Sequence, residues 1–167
     1  MTDRTRLSVF ITTYNNGRTL TACLESIKWA DEIVVLDSFS TDDTLAIAQQ
    51  YGAQMSQHEF MGYGPQKRLA LEATTHNWVL LLDADEALSP TLQTEIRQLL
   101  AQGPSADGYE IPRQEQMFWR MYNPATRMNH YLRLFDKRKG GIDDMPIHAA
   151  PKVQGRIART KAPLYHY

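Results

Sequence analysis

Trp78-Val79-Leu80-Leu81-Leu82 runs without a polar break into Asp83-Ala84-Asp85-Glu86. A five-residue apolar run with β-branched and aromatic members reads as a strand buried on both faces. Such a strand needs helices above and below it, which restricts the chain to a covered, mostly parallel sheet. Its carboxylates then lie at the strand's C-terminal end, where open α/β sheets hold ligands. Two hard oxygen donors spaced i, i+2 suit Mg²⁺ or Mn²⁺ on the phosphates of a nucleotide. Taken alone, the pair is also compatible with a polar exit from strand to loop.

The flanking pattern extends the sheet. Leu7 to Thr12 and Ile33 to Leu36 read as buried strands, and Gln54 to His58 as a weaker one. Leu20, Cys23, Leu24 and Ile27 form a helical stripe. Thr41 is placed to cap a second helix, with Asp42 and Asp43 in its first turn and Gly52 after its end. Pro65 opens a third, through Leu69 and Ala73. Ser89-Pro90 caps a fourth, whose core face is Leu92, Ile96, Leu99 and Leu100. The order βαβαβαβα over residues 1–112 predicts a Rossmann-like α/β fold. After Gly103-Pro104 the alternation stops. Tyr109 to Pro112 and Tyr131 to Phe135 read as strands, Lys137 to Gly141 as a basic turn, and residues 113–167 as a small α+β extension of the same domain.

Composition excludes several classes. The chain has 167 residues, of which 43% are hydrophobic and 22% charged, as in an ordinary globular domain. No apolar run approaches a bilayer span. The single cysteine, Cys23, cannot form an internal disulfide, and its place on a helical stripe makes it a packed thiol. A cytoplasmic location is expected, at or near the inner face of the membrane. Net charge is uneven: −8 in residues 1–112 and +7 in residues 113–167, together the −1 of the whole chain. The basic part fits an anionic partner, or a solvated surface balancing the acidic part.

Four polar loops follow the strands: Thr12-Thr13-Tyr14-Asn15-Asn16, Asp37-Ser38, Gly62 to Arg68, and Asp83-Ala84-Asp85. Topology brings such loops to one edge of the sheet. They supply an aromatic face, a carboxylate for a base N–H, two cations and a metal site, the outline of a nucleoside-diphosphate site. Neither G-x-x-x-x-G-K-[ST] nor G-x-G-x-x-G occurs, which argues against P-loop and dinucleotide sites.

The segments Leu7-Ser8-Val9-Phe10-Ile11-Thr12-Thr13-Tyr14-Asn15, Cys23-Leu24-Glu25-Ser26-Ile27, Ala30-Asp31-Glu32-Ile33-Val34-Val35-Leu36-Asp37-Ser38, Ser40-Thr41-Asp42 and Asp83-Ala84-Asp85-Glu86 resemble glycosyltransferase family 2, with the GT-A fold. The branch most resembled is that of lipopolysaccharide inner-core β-1,4-glucosyltransferases. It shares Gly64-Pro65-Gln66-Lys67, Arg133-Leu134-Phe135 and His166-Tyr167. The resemblance implies an inverting transfer of a sugar, glucose in that branch, from a UDP-sugar to a saccharide or lipid-linked saccharide acceptor. It implies that Thr12, Tyr14 and Asn15 line a uracil and ribose pocket and that Asp37 accepts the uracil imide N–H. Lys67 and Arg68 would approach the phosphates or the sugar, Asp83 the ribose, and Asp85 a divalent metal (Mg²⁺ or Mn²⁺). Glu86 reads as a surface neighbour. Residues 1–112 would form the nucleotide-sugar half and residues 113–167 the acceptor side of one domain, with peripheral membrane contact and no nucleic-acid role.

Two departures stand out. The branch reads His-Glu in the segment after Arg-Leu-Phe, and that Glu is a natural base; here the residues are His148-Ala149. Asp143, Asp144 and His148 are the nearby substitutes, with Asp144 and His148 the candidate catalytic residues. The sequence also ends at His166-Tyr167, where relatives continue. The alternatives are a binding remnant with impaired catalysis and, more remotely, a nucleotidyltransferase.

Overall fold

The computed structural model describes residues 3–117, 119–121, 123, 127–143 and 149–167. Strands β1 (Leu7–Thr13), β2 (Glu32–Asp37), β3 (Gln54–Gln57) and β4 (Trp78–Asp83) alternate with helices α1 (Leu20–Glu25), α2 (Thr44–Gln50) and α3 (Tyr63–Glu72). There follow β5 (Glu86–Leu88), α4 (Pro90–Gln102), β6 (Gly108–Met117), β7 (Arg120–Met121) and β8 (Asn129–Asp136). The last strands are β9 (Gly140–Ile142), β10 (Pro151–Val153), β11 (Ile157–Arg159) and β12 (Leu164–His166).

The main sheet runs β3-β2-β1-β4-β8-β6-β12-β5, with β7 and β11 on β6, while β9 and β10 form a separate pair. Its first four strands are parallel, as the alternation predicts. β8 then enters antiparallel beside β4, so the second part of the chain extends the same sheet. The pleat sorts the buried strands between two apolar layers. Leu7, Val9, Ile11, Leu80 and Leu82 pack with α1, Ala48 of α2 and α4. Phe10, Val34, Val79 and Leu81 pack with Ala70 and Leu71 of α3.

Cys23 is buried on the predicted stripe, and burial pushes its thiol well above the ordinary value. Ser89 caps α4 as expected, accepting the N–H of Leu92 at 3.1 Å, with Pro90 in the first turn. Two helix starts differ. α2 begins at Thr44, so Thr41, Asp42 and Asp43 precede it. Asn15 takes a left-handed φ of 49°, and its Oδ1 accepts the N–H of Thr41 at 2.8 Å, while Asp42 Oδ1 takes the N–H of Thr44 at 3.0 Å in a local turn, in place of a cap from Thr41. α3 begins at Tyr63, two residues before Pro65; a first-turn N–H has no helical partner to lose, so the proline fits there.

Candidate functional site

The parallel strands deliver their following loops to one edge, around a cleft of about 340 Å³. Thr12, Thr13, Tyr14 and Asn16 line it from the end of β1, and Ser38 from the end of β2. Phe60 comes from the loop before α3, Tyr63, Gln66 and Lys67 from the start of α3, and Asp83, Ala84 and Asp85 from the end of β4. Direct pairing fixes the floor, since Thr12 lies opposite Asp83 in register. The cleft therefore joins Thr12, Tyr14, Lys67, Asp83 and Asp85 as the sequence anticipates. Asn15, Asp37 and Arg68 do not line it. A hollow of about 410 Å³ beside α4, lined by Arg4, Trp29 and Arg97, contains no carboxylate.

Asn15 and Asp37 shape the wall from behind. Besides holding Thr41, Asn15 donates its N–H to Ser40 Oγ at 2.8 Å. Asp37 is fully buried. Its Oδ1 accepts the hydroxyls of Thr13 and Ser40, each at 2.6 Å, and its Oδ2 accepts Ser40 N at 2.8 Å and Gln57 Nε2 at 3.3 Å. Burial works against its charge, but these donors outweigh it and hold the carboxyl below its ordinary value. With both oxygens occupied, Asp37 anchors the β1 and β2 loops and does not itself line the cleft. Its neighbour Ser38 faces the cleft instead, accepting Gln66 Nε2 at 2.9 Å. Gln66 is buried and its Oε1 has no hydrogen-bond partner among the described residues.

Tyr14, Phe60 and Tyr63 stand more than half exposed around this wall. Phe60 and Tyr63 meet edge to face, ring centroids 5.1 Å apart. Exposed aromatics beside a polar cleft supply stacking faces for a planar ligand.

A circuit of alternating charge starts and ends on the Asp83-Ala84-Asp85-Glu86 segment. Asp83 meets Lys67 Nζ at 3.2 Å and Arg133 at 3.5 Å. Burial opposes its charge, but Arg133 and Lys67 hold its carboxyl below the ordinary value. Arg133 reaches Glu86 at 3.0 Å, and Glu86 meets Arg113 at 3.6 Å. Arg113 Nε donates to Glu115 at 2.7 Å, Glu115 meets His166 Nδ1 at 2.5 Å, and His166 Nε2 meets Asp85 Oδ2 at 3.1 Å. Glu86 is completely buried, which corrects its reading as a surface neighbour. It continues into β5, and its Oε1 accepts the N–H of Asp83 at 2.9 Å. Burial pushes its carboxyl up, with Arg133 opposing and Asp83 adding.

His166, Glu115, Arg113 and Glu86 carry no role in the sequence reading, although Arg133-Leu134-Phe135 and His166-Tyr167 are among the motifs it quotes. Strand pairing makes the group: His166 lies opposite Glu115 on one side and Glu86 on the other. The one available signal was Arg133 inside an apolar alternation, since a buried guanidinium requires a buried carboxylate.

Asp144 and His148 lie outside the described residues. Asp143 is bridged to Lys152 at 3.6 Å. Ala149 packs against the apolar layer that contains Phe10 and Phe135.

A divalent ion fits the far end of the circuit. Such ions hold oxygen and imidazole donors at about 2.1 Å, so neighbouring ligands in an octahedron lie roughly 3 Å apart. Asp85 Oδ2 and His166 Nε2 are 3.1 Å apart. Among the described residues no set of three or more His, Cys, Asp or Glu side chains is grouped to hold an ion. Two protein donors leave positions for phosphate and water, the usual arrangement at nucleotide sites.

Fold and site together define an α/β domain of the GT-A type. The chain belongs to the glycosyl transferase family 2, whose family profile matches residues 8–152. It is 32% identical over 162 residues to the lipopolysaccharide core biosynthesis glycosyltransferase LpsC of Rhizobium meliloti, covering 93% of this chain and 60% of that protein. The S. aureus TarS structure in complex with UDP superimposes with a TM-score of 0.70 at 20% identity, over 96% of this chain and 60% of that one. Glucosyl-3-phosphoglycerate synthase from Mycobacterium tuberculosis, solved with Mn²⁺, UDP and glucosyl-3-phosphoglycerate, gives 0.53 at 26% identity, over 68% and 44%. The chain spans about three fifths of the length of the curated relatives it matches.

Proposed function

We propose that the chain binds a UDP-sugar with a divalent ion and transfers the sugar, with inversion, to a saccharide acceptor. One observation carries this reading: Lys67, Asp83, Asp85 and His166 converge beside an aromatic-lined cleft at the C-terminal ends of parallel strands. The relatives support it, since LpsC is named for lipopolysaccharide core biosynthesis and the mycobacterial synthase was solved with UDP and Mn²⁺. By the same likeness the donor sugar is glucose and the acceptor a lipopolysaccharide-core saccharide, lipid-linked and met at the membrane surface.

In this reading Tyr14 stacks on the uracil, with Thr12 and Ser38 beside it. Asp83, already held by Lys67 and Arg133, accepts ribose hydroxyls. Lys67 is nearly buried, so its charge acts on a phosphate through a poorly screened medium. Asp85 and His166 hold the ion, which when bound neutralises charge on the departing diphosphate. A base must take the proton of the attacking hydroxyl. With alanine at position 149, Asp144 and His148 are the candidates.

A thermal-shift series with UDP, GDP, ADP and NAD, each with and without Mn²⁺, tests the donor assignment. A ligand that binds only the folded chain raises its melting temperature. UDP should give the largest shift, increased by Mn²⁺. A response to ADP or NAD without one to UDP would overturn it.

A further inference from the structure

Glu115 is not among the groups proposed to meet the donor or the ion, yet it grips the imidazole proposed to hold the ion. We infer that Glu115 is the positioning residue of the metal site, presenting His166 Nε2 to the ion beside Asp85. The inference rests on the metal reading above.

The geometry has three parts. First, Glu115 and His166 are direct register partners on the parallel strands β6 and β12, so backbone pairing sets their separation. Second, Glu115 Oε2 lies 2.5 Å from His166 Nδ1. A carboxylate on one ring nitrogen fixes a proton there and directs the other nitrogen's lone pair outward. That nitrogen lies 3.1 Å from Asp85 Oδ2, to which it donates a proton when no ion is present; an ion bound between them would take that proton's place. Third, Glu115 is itself held, since its Oε1 accepts Arg113 Nε at 2.7 Å and Arg113 lies 4.4 Å over the Tyr131 ring. The Arg113 Nε–H bond thus restrains the Glu115 carboxylate. On the far side the N–H of Tyr167 donates to the Asp85 carbonyl at 2.9 Å, tying both ligands' backbones together.

A carboxylate in this position raises the ligand strength of the imidazole and removes the entropy of orienting it. Loss of such a partner typically costs about 10–100-fold in metal affinity. A carboxylate that only neutralised Arg113 would leave metal affinity unchanged.

Mn²⁺ binding in the presence of saturating UDP, followed by electron paramagnetic resonance, separates the two. Glu115→Ala should weaken Mn²⁺ by about 10–100-fold and leave UDP affinity without metal unchanged. Glu115→Gln should restore only part of the loss, because its single amide oxygen can accept the Nδ1–H while its NH₂ then faces the Arg113 Nε–H. Unchanged Mn²⁺ affinity in Glu115→Ala would overturn the role, as would an equal loss of metal-free UDP binding. Failure of the wild-type chain to bind Mn²⁺ with UDP would overturn the metal reading itself, and Glu115's role with it. A measurement on the wild type is independent of how the variants fold. Long-range ¹H–¹⁵N spectra of His166 with UDP and Mg²⁺ should show the proton on Nδ1, and a proton on Nε2 would overturn the assignment.

Discussion

Arg133 and Glu86 meet at 3.0 Å inside the sheet, 47 residues apart in sequence, and together they set the position of Asp83. Glu86 takes the Asp83 N–H through Oε1 while Arg133 reaches both carboxylates. This pair binds the loop after β4 to the second part of the chain, which contributes β8.

Breaking that pair leaves one buried charge without its partner. Arg133→Met should destabilise the chain by about 3–5 kcal/mol, the usual cost of stranding a buried ion. Glu86→Gln retains the volume and an acceptor, so its cost should be smaller. Urea unfolding followed by circular dichroism measures both. An Arg133→Met variant as stable as wild type would show that the pair does not hold the sheet.

Asp85→Ala should abolish the Mn²⁺-dependent part of UDP stabilisation while the metal-free fold survives. Asp85 lies beyond the buried run, so its loss removes a ligand and no core volume. Mn²⁺ at a hundred times its dissociation constant contributes about 2.7 kcal/mol of linkage stabilisation. The variant's melting temperature with UDP should therefore not respond to Mn²⁺. An unchanged response would remove Asp85 from the metal site.

Asp37 gives a test in pH. Its folded carboxyl lies below its ordinary value, the four donors outweighing burial. A depressed carboxylate contributes stability above its unfolded pKa of about 3.9, and that contribution is lost as pH falls through the lower folded value. Asp37→Asn replaces an all-acceptor group with one that presents N–H to existing donors. It should cost about 1–3 kcal/mol at neutral pH and flatten the stability loss between pH 5 and the acid transition. Urea midpoints measured from pH 7 downward check both. If Asp37→Asn instead left stability intact and selectively lost UDP over other nucleotides, Asp37 would be the base-contacting residue after all.

What was legible in the sequence is what period and punctuation encode. The buried strands from Leu7, Ile33 and Trp78 and the Ser89 cap are local features, and the structure reproduces them within a residue. Thr41 misled because the next residue, Asp42, takes the Thr44 N–H in a local turn. Asp37 and Ser38 are adjacent, and only the pleat decides which faces the cleft. Glu86, Glu115 and His166 meet through strand pairings over long sequence separations. No local pattern carries that information, so the metal end of the site appeared as a single aspartate.

Ala149 poses the question of turnover. A positioned base contributes typically ~10²–10⁴-fold, while orientation and metal assistance act without it. Ala149 packs against the Phe10 and Phe135 layer and has no group to accept a proton. Wild type is therefore expected to bind UDP-sugar normally and transfer slowly, and Ala149→Glu should raise transfer with UDP affinity unchanged. If Asp144 serves as the base, wild type is already fast, and Asp144→Asn lowers transfer by orders of magnitude while donor binding holds. Transfer and hydrolysis assays of wild type, Ala149→Glu and Asp144→Asn, run with Mn²⁺ and lipopolysaccharide-core acceptors, separate the cases. Fast wild-type transfer would discard the lost-base reading. Slow wild-type transfer rescued by Ala149→Glu would establish that the carboxylate missing at position 149 limits this chain.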